Sequence, residues 1–274
     1  MSGAGAVSPS LRLRPADPAE TACKVCDGPA RLFGVIDFNR SCEEARGAFL
    51  PLAGVPVYYR RCERCGLVYT DAFDDWPHEA FETHIYNAAY GEVDRDYEAV
   101  RPQGNARMIA SAFKTSASAL QVLDYGGGNG ALAARLREAG FGHAETYDPF
   151  HADHRVRPQR RFNLVTCFET LEHMPEPKAG AADIASFLAD DGILLFSTLV
   201  QPADFAAQGM RWWYIGPRNG HVTLHTRASL AALWAPLGLQ VASVNDNIHM
   251  AFRTIPAFAR HLFPNATPEV SPRT

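Results

Sequence analysis

"LQVLDYGGGNGALAARLREAG", residues 120 to 140, sets the architecture of the chain. Gln121 to Tyr125 have strand character, Gly126 to Gly130 form a glycine turn, and a helical pattern runs from Ala131 to a capping Gly140. The same alternation continues downstream. The next strand, "HAETYD", ends in Asp148, some twenty residues beyond the glycines. Then follow the strand "FNLVTCF", a helix around "EPKAGAADIASFLA", the strand "GILLFSTLV", a helix "RASLAALWAPLG" and the strands "LQVASVN" and "NIHMAFR". Strands alternating with helices predict an α/β fold: a doubly wound, mainly parallel sheet covered on both faces, with ligands at the carboxyl ends of its strands.

The 274 residues suffice for one large domain or for one medium domain with a small module. A net charge of -4 gives no global attraction to nucleic acid or to an anionic membrane. The local exception is "HRVRPQRR", where Arg155, Arg157, Arg160 and Arg161 cluster; it reads as a solvated loop, with an anionic-substrate contact as the alternative. The first twenty residues lack an apolar core and read as a flexible tail rather than a secretory signal. The longest apolar run is strand-sized, so no membrane insertion is expected, and the protein is placed in the cytoplasm with reduced thiols. Residues 255–274, with Pro256, Pro264, Pro268 and Pro272, read as a loosely attached C-terminal tail. Nothing in the sequence fixes an oligomeric state.

Four of the six cysteines fall in two pairs, Cys23 and Cys26 in "CKVC" and Cys62 and Cys65 in "CERCG". Each C-x2-C sets two thiolates about one tight turn apart, and two such knuckles close a tetrahedral zinc site. The strands "RLFGVIDF" and "VPVYYRRC" lie between them, which predicts a small zinc-binding β module over residues 21–70. A pair of disulfides would need an oxidising compartment. A closed four-thiolate site leaves no open position, so this Zn2+ is structural. Cys42 and Cys167 read as buried apolar groups.

The glycine turn alone is ambiguous, because Gly126, Gly128 and Ala131 also satisfy the G-x-G-x-x-A pattern of a nicotinamide dehydrogenase. Asp124, just before the turn, shifts the balance. "VLDYGGGNG" closely resembles motif I of class I S-adenosylmethionine-dependent methyltransferases, apolar-apolar-Asp/Glu-x-G-x-G-x-G, and the resemblance extends over residues 80 to 254. It implies a Rossmann-like methyltransferase fold with a seven-stranded sheet, S-adenosyl-L-methionine as cofactor, and cofactor-binding positions at Asp124, Gly126, Gly128 and Gly130. It also implies that Asp148 takes the ribose hydroxyls.

"CFETLEHM", residues 167 to 174, stands at the carboxyl end of "NLVTCF", where the family's fourth strand meets the transferred methyl group. If helical, the segment puts Glu169, Glu172 and His173 on one face; the plain alternative is a solvated helix start. The string E-x-x-E-H resembles the metal motif of ubiquinone-biosynthesis O-methyltransferases and of small-RNA 3'-terminal 2'-O-methyltransferases. In the latter a further histidine after the fifth strand completes the site. "GHVTLHTRASL" supplies His221 at the family's spacing to a Thr226 helix cap, with His225 as the near alternative. The resemblance implies a catalytic divalent ion such as Mg2+ among Glu169, Glu172, His173 and His221, lowering the pKa of an acceptor hydroxyl. O-methylation of a sugar diol or a catechol is the natural reaction. Without a metal, His173 or His221 remains the best general base.

"RPQGNARMIASAF", residues 101 to 113, resembles the cofactor-capping helix of the ubiquinone-type enzymes, and Arg107 would pair the methionine carboxylate. Phe168 takes the place of a cofactor contact at the strand end. In the long insertion "QPADFAAQGMRWWYIGPRNGH", Trp212, Trp213 and Tyr214 form a candidate aromatic platform for substrate. "WWYIGPRNGH" also resembles a stretch in zinc-knuckle bacterial methyltransferases that accompany polysaccharide and modified-sugar biosynthesis. Some of those are sugar C-methyltransferases with a further C-terminal domain that this sequence does not contain. The expected organisation is a tail (1–20), the zinc module (21–70), a helical connector and cofactor cap (71–118) with Tyr86, Tyr90 and Tyr97 near the pocket, the catalytic domain (119–254) and a tail (255–274). The expected acceptor is a small molecule or glycan. An RNA methyltransferase gripping nucleic acid through the zinc module is the competing expectation, weakened by the acidic balance and by only three lysines. A non-catalytic cofactor-binding scaffold is the third.

Overall fold

The cysteine knuckles sit at the ends of a small antiparallel sheet. In the computed structural model, which describes residues 11–15 and 19–264, β1 (Thr21–Ala22), β2 (Pro29–Asp37), β3 (Pro56–Cys62) and β4 (Val68–Tyr69) pair in sequence order. β2 and β3 are the two strands read between the cysteine pairs. β4 has only two residues, and its free backbone edge needs a partner. That partner comes from the far half of the chain: β9 (Thr223–Leu224) pairs with it, Val68 opposite Leu224 and Tyr69 opposite Thr223. The N-terminal module is therefore not self-contained but shares its sheet with the segment that follows His221.

The connector holds α1 (His78–His84), α2 (Tyr90–Val93) and α3 (Val100–Ala112), joined by turns. Helix is thus shorter than the sequence suggests over 71–100, where the turns around Asn87 and after Val93 interrupt it. The N-terminal tail also departs from expectation in its described part. Leu11 and Leu13 pack against the aromatic cluster of Phe73 and Phe81, Arg14 N donates to Ala72 O at 3.0 Å, and Trp76 Nε1 donates to Arg12 O at 2.8 Å. Apolar residues on alternate positions give this segment a face to bury.

The catalytic-half sheet is built from β5 (Gln121–Tyr125), β6 (His143–Tyr147), β7 (Phe162–Cys167), β8 (Leu188–Ser197), β10 (Gln240–Ser243) and β11 (Ile248–Phe252), in the order β10-β11-β8-β7-β5-β6. β6, β5, β7 and β8 are parallel, while β11 and β10 are antiparallel additions. The doubly wound reading holds. Among the described residues the sheet has six strands, not seven, because residues 148–161 between β6 and β7 run as turns and bends, leaving β6 at the edge. The arginine cluster lies in that connection and is largely consumed by local pairs: Arg157 with Asp183 at 2.5 Å, Arg160 with Glu145 at 3.2 Å, Arg161 with Asp190 at 3.3 Å.

Burial on both faces explains the near-continuous apolar strands. Leu123, Val165 and Leu194 face α5 (Pro177–Ser186) and α7 (Arg227–Trp234) through Ile184, Leu230 and Trp234. Val122, Leu164 and Ile193 face α3 and α4 (Ala131–Glu138) through Ile109, Leu132 and Leu136. Gly140, at φ +88, stops α4 as read. The short α6 (Phe205–Gln208) lies in the insertion after β8. Thr226 caps α7 in a capping box with Ser229 and also donates from Oγ1 to Cys65 O at 2.6 Å. The C-terminal segment is docked as far as it is described: Ile255, Phe258, Leu262 and Phe263 pack on the α3 side, and His261 Nε2 bonds Ala112 O at 2.6 Å. These four apolar side chains within nine residues outweigh the prolines there. Pro268 and Pro272 lie outside the described residues. Among the described residues no helix is long and apolar enough to cross a membrane.

β5 turns chain direction in the sheet, with β6 on one side and β7 on the other, so the crevice between the carboxyl ends of β5 and β7 is the topological switch point. Leu123 is fully buried at the centre of this arrangement. Leu123→Ala is expected to cost about 2–5 kcal/mol, read as a lower urea midpoint at unchanged m-value; a change under about 1 kcal/mol would place Leu123 outside the cooperative core.

Candidate active site

At the switch point, Gly126, Gly128 and Gly130 all have left-handed backbones, at φ +69, +53 and +77. Side chains strain such positions, and a Cβ on Gly127 would overlap the Asp124 carboxylate, so the turn demands glycine. Asp124 is buried beneath it and accepts a hydrogen bond from Thr166 Oγ1 at 2.8 Å; burial pushes its carboxyl up to about 7. Asp148 bends back onto the turn, its Oδ2 accepting from Gly128 N at 2.9 Å and its Oδ1 from Phe150 N at 2.8 Å. The structure thus brings the four expected cofactor-binding positions and Asp148 together. Thr166, on the adjacent strand, is a supporting residue that sequence reading passed over.

Beyond β7 the chain does not form the expected helical face. Glu169 takes a left-handed backbone, φ +48, and one 3-10 turn, Leu171–His173, follows. This bend delivers Glu169 to Ser197, whose Oγ donates to Glu169 Oε1 at 2.6 Å. Glu172, His173 and His221 converge instead, their ligand atoms within 4.8 Å of one another. Glu169 is not in that group, which corrects the four-residue set. Each member is oriented by a neighbour. His173 Nδ1 bonds Gly220 O at 3.1 Å and His221 Nδ1 bonds Tyr214 O at 2.8 Å. A carbonyl only accepts, so both protons sit on Nδ1 and both Nε2 lone pairs are free. Tyr214 Oη donates to Glu172 Oε1 at 2.6 Å, while Glu172 Oε2 is buried with no hydrogen-bond partner. Burial lowers both histidines below their ordinary range, keeping them neutral. Two neutral imidazoles with free Nε2 atoms and one orphaned carboxylate oxygen fit a divalent cation. His225, the alternative to His221, is buried elsewhere against Ser229, at 3.2 Å, and burial presses it down to about 3.

A cavity of about 360 Å³ opens beside this group, lined by Glu169, His173 and His221 together with Asp94, Arg101 and Trp213. Burial, and secondarily the charge of Glu172, raise Glu169 to about 7. Arg107 is exposed and outside the lining. Arg101, ion-paired to Asp94, lines it in its place; six residues along an α-helix is about 240° of rotation, so the two cannot share a face. Phe168 packs with the apolar cluster on the α3 side. Of the aromatic platform, Trp213, which is 42% exposed, and the buried Tyr214 line the cavity, whereas Trp212 is buried against Phe205 and lies outside the lining. Tyr86, Tyr90 and Tyr97 form an edge-to-face chain that reaches His173.

A family profile described as a methyltransferase domain matches residues 97–244, more than half of the chain. The chain belongs to this methyltransferase family. A ubiquinone biosynthesis O-methyltransferase of Xanthomonas euvesicatoria pv. vesicatoria (strain 85-10) is 37% identical over 98 residues, covering 34% of this chain and 41% of that protein. One from Glaesserella parasuis serovar 5 (strain SH0165) is 33% identical over 58 residues, covering 21% and 25%. The chain matches less than half the length of these relatives. An O-methyltransferase family protein from Burkholderia thailandensis is similar in structure, with 15% identity and a TM-score of 0.46, covering 66% of this chain and 64% of that one.

The methyltransferase domain leans on the cysteine cluster. Cys23 Sγ lies 3.7 Å from Cys65 Sγ, and Cys26 Sγ lies 3.4 Å from Cys62 Sγ; all four sulfurs fall within 4.8 Å of one another. A tetrahedron with metal–sulfur bonds of about 2.3 Å has edges of about 3.8 Å, so the set fits zinc. Amides of Val25, Arg64 and Cys65 point at the sulfurs from 3.3 to 3.4 Å. The hydrogen bond from Cys65 holds Cys23 below the ordinary thiol range. Inside the first knuckle, Lys24 Nζ donates to Thr70 O, Asp74 and Pro175 O, reaching the start of α5. Lys178, on α5, pairs with Asp27 at 2.6 Å.

Asp124 binds its proton more tightly folded than unfolded. Its stabilising contribution is therefore complete below the unfolded carboxyl range near about pH 4 and is lost as the pH climbs towards about 7. In the protein without cofactor, Asp124→Asn is expected to show a smaller fall in Tm between those limits than the wild type; parallel profiles would show that Asp124 does not titrate there.

Proposed function

We propose that the chain is an S-adenosylmethionine-dependent O-methyltransferase that uses a divalent ion to methylate a hydroxyl of a small molecule or sugar. The observation that carries the reading is the convergence of Glu172, His173 and His221, with both imidazole tautomers fixed and one carboxylate oxygen unpaired, beside the cofactor-type glycine turn of a methyltransferase domain. The similarity to ubiquinone biosynthesis O-methyltransferases supports it.

In this reading Gly126 to Gly130 and Asp148 hold the cofactor, Asp124 supports the turn from below, and Arg101, rather than the exposed Arg107, meets an anionic group at the cavity. Glu172, His173 and His221 would hold the ion, such as Mg2+, whose charge would lower the pKa of the acceptor hydroxyl. Glu169 Oε1 is engaged by Ser197, so Oε2 takes the hydroxyl proton, which a carboxyl near 7 does effectively. The acceptor oxygen forms the new C–O bond as the sulfonium–methyl bond breaks, leaving the neutral thioether product. Positioning by the cavity walls supplies the in-line approach. Zn2+ at Cys23, Cys26, Cys62 and Cys65 is structural, and the organisation is that of a knuckle module, a connector with its cofactor cap, and a catalytic domain.

Methyl transfer from labelled cofactor is expected to vanish in chelator and to return with Mg2+ or Mn2+. Glu172→Gln and His221→Ala should each lower kcat/KM at least about a hundredfold with cofactor affinity retained. Full activity in chelator and in both variants would leave ordinary acid–base catalysis. Tyr214→Phe, which removes the hydrogen bond that aims Glu172, should weaken Mn2+ binding by about 10- to 100-fold, measured by paramagnetic resonance of free Mn2+ without cofactor; unchanged Mn2+ affinity would remove Tyr214 from the ion site.

A further inference from the structure

One wall of the cavity belongs to the N-terminal half. Cys42, Glu43, Ala45 and Arg46, on the 3-10 turn Cys42–Arg46 within the β2–β3 connection, line it beside Glu169, His173 and His221. The turn is fastened to the loop that carries His221. Cys42 N donates to Asn219 Oδ1 at 2.8 Å, Arg218 N donates to Arg40 O at 3.1 Å, and a Cβ on Gly216 would lie 2.9 Å from Cys42 Sγ. Asn219 Nδ2 in turn donates to Val93 O at 2.7 Å. The wall is therefore held in place by the same loop that positions the candidate ion site.

The wall is charged, and its charges are ordered. Arg46 bridges Glu43 Oε1 at 3.0 Å and Asp96 at 2.6 Å, and Arg101 pairs with Asp94. Glu43 is the anomaly. Its side chain is only 8% exposed, yet Oε2 accepts no hydrogen bond, its nearest cation being Arg95 Nε at 3.7 Å. A carboxylate oxygen buried without a donor is costly, so it favours any ligand that brings one.

We infer that this turn reads the acceptor: Glu43 Oε2 takes a hydrogen bond from a further hydroxyl of a small polyol, a sugar-like ring, whose methylated hydroxyl lies at the ion site. The inference rests on the function proposed above. A cavity of about 360 Å³ is near the lower end of the range for small-molecule pockets, which suits one or two rings. The paired Arg46, Asp96, Arg101 and Asp94 surround such a ring with planar donors and acceptors, and the exposed face of Trp213 can cover its C–H side. A catechol spends both of its hydroxyls at the ion site and has none left for Glu43. The sheet that carries the cysteines thus takes part in substrate recognition.

The test uses the full chain with Mg2+. Cofactor and Mn2+ binding are measured first, and their absence would defeat the proposed function itself. With both present, methyl transfer is measured to methyl glycosides of glucose, galactose and mannose, to their nucleotide-linked forms, and to catechol, in the wild type, Glu43→Gln and Ala45→Phe. Ala45 is exposed and lines this cavity alone, so enlarging it obstructs the acceptor without removing a bond. At least one sugar is expected to be methylated. For that sugar Glu43→Gln should raise KM about 10- to 100-fold, as for a lost hydrogen bond to a charged group, with kcat within about twofold. Ala45→Phe should raise KM at least as much, and both variants should keep the wild-type Tm and the wild-type affinities for cofactor and Mn2+. Turnover of no sugar, or sugar KM values unchanged in both variants, overturns the inference; methylation of catechol alone would identify an aromatic acceptor instead.

Discussion

Val222 N donates to Glu172 O at 2.8 Å, and Thr70 N donates to Val222 O at 3.0 Å. With Thr223 Oγ1 donating to Leu171 O at 2.8 Å, these bonds stitch one short segment to the 3-10 turn of the candidate ion site on one side and to the cysteine-bearing sheet on the other. His221 precedes the stitch, and Thr226, bonded to Cys65 O, closes it. Tyr59 Oη adds a bond to His221 O at 2.7 Å. The site's geometry is thus a property of two sheets held in register rather than of the switch-point crevice alone. Without β9 the free edge of β4 would be left unsatisfied.

What was legible in the sequence is what periodicity encodes. The glycine turn, the alternation of strands and helices and the strand-end Asp148 follow from spacing, and the two C-x2-C pairs from ligand chemistry. The cap at Thr226 was legible as well, and it is what located His221. Two-residue strands carry no period, so the β4–β9 pairing was invisible. A left-handed backbone at a glutamate leaves no mark in sequence either, which is why Glu169 was grouped with Glu172 and His173. Arg101 and Arg107 look alike in sequence; only the start of α3 decides which one meets the cavity. The roles of Tyr214 and Glu43 depend on contacts across 42 or more positions and could not be read from neighbours in the chain.

The buried ionisable groups share a direction. Asp124, Glu169 and Glu172 are raised and His173 and His221 lowered, in each case chiefly by burial, so each is moved towards its neutral form. A fold that gathers five such groups at strand ends holds a site whose preferred state changes when a charged ligand arrives. Positive charge beside Glu172 and the imidazoles would favour the deprotonated carboxylate and leave the neutral rings as they are.

The lysine inside the first knuckle has a consequence for how the molecule comes apart. An ammonium has three donor hydrogens, and Lys24 directs them to Thr70 just past β4, to the connector and to Pro175 in the bend that leads into α5. Lys178 returns the contact from α5 to Asp27. Sharing a sheet and latched by amines from both sides, the cysteine module and the catalytic half have little freedom to open separately. The same β4–β9 pairing that completes the cysteine-bearing sheet thus ties the knuckles to the segment that follows His221.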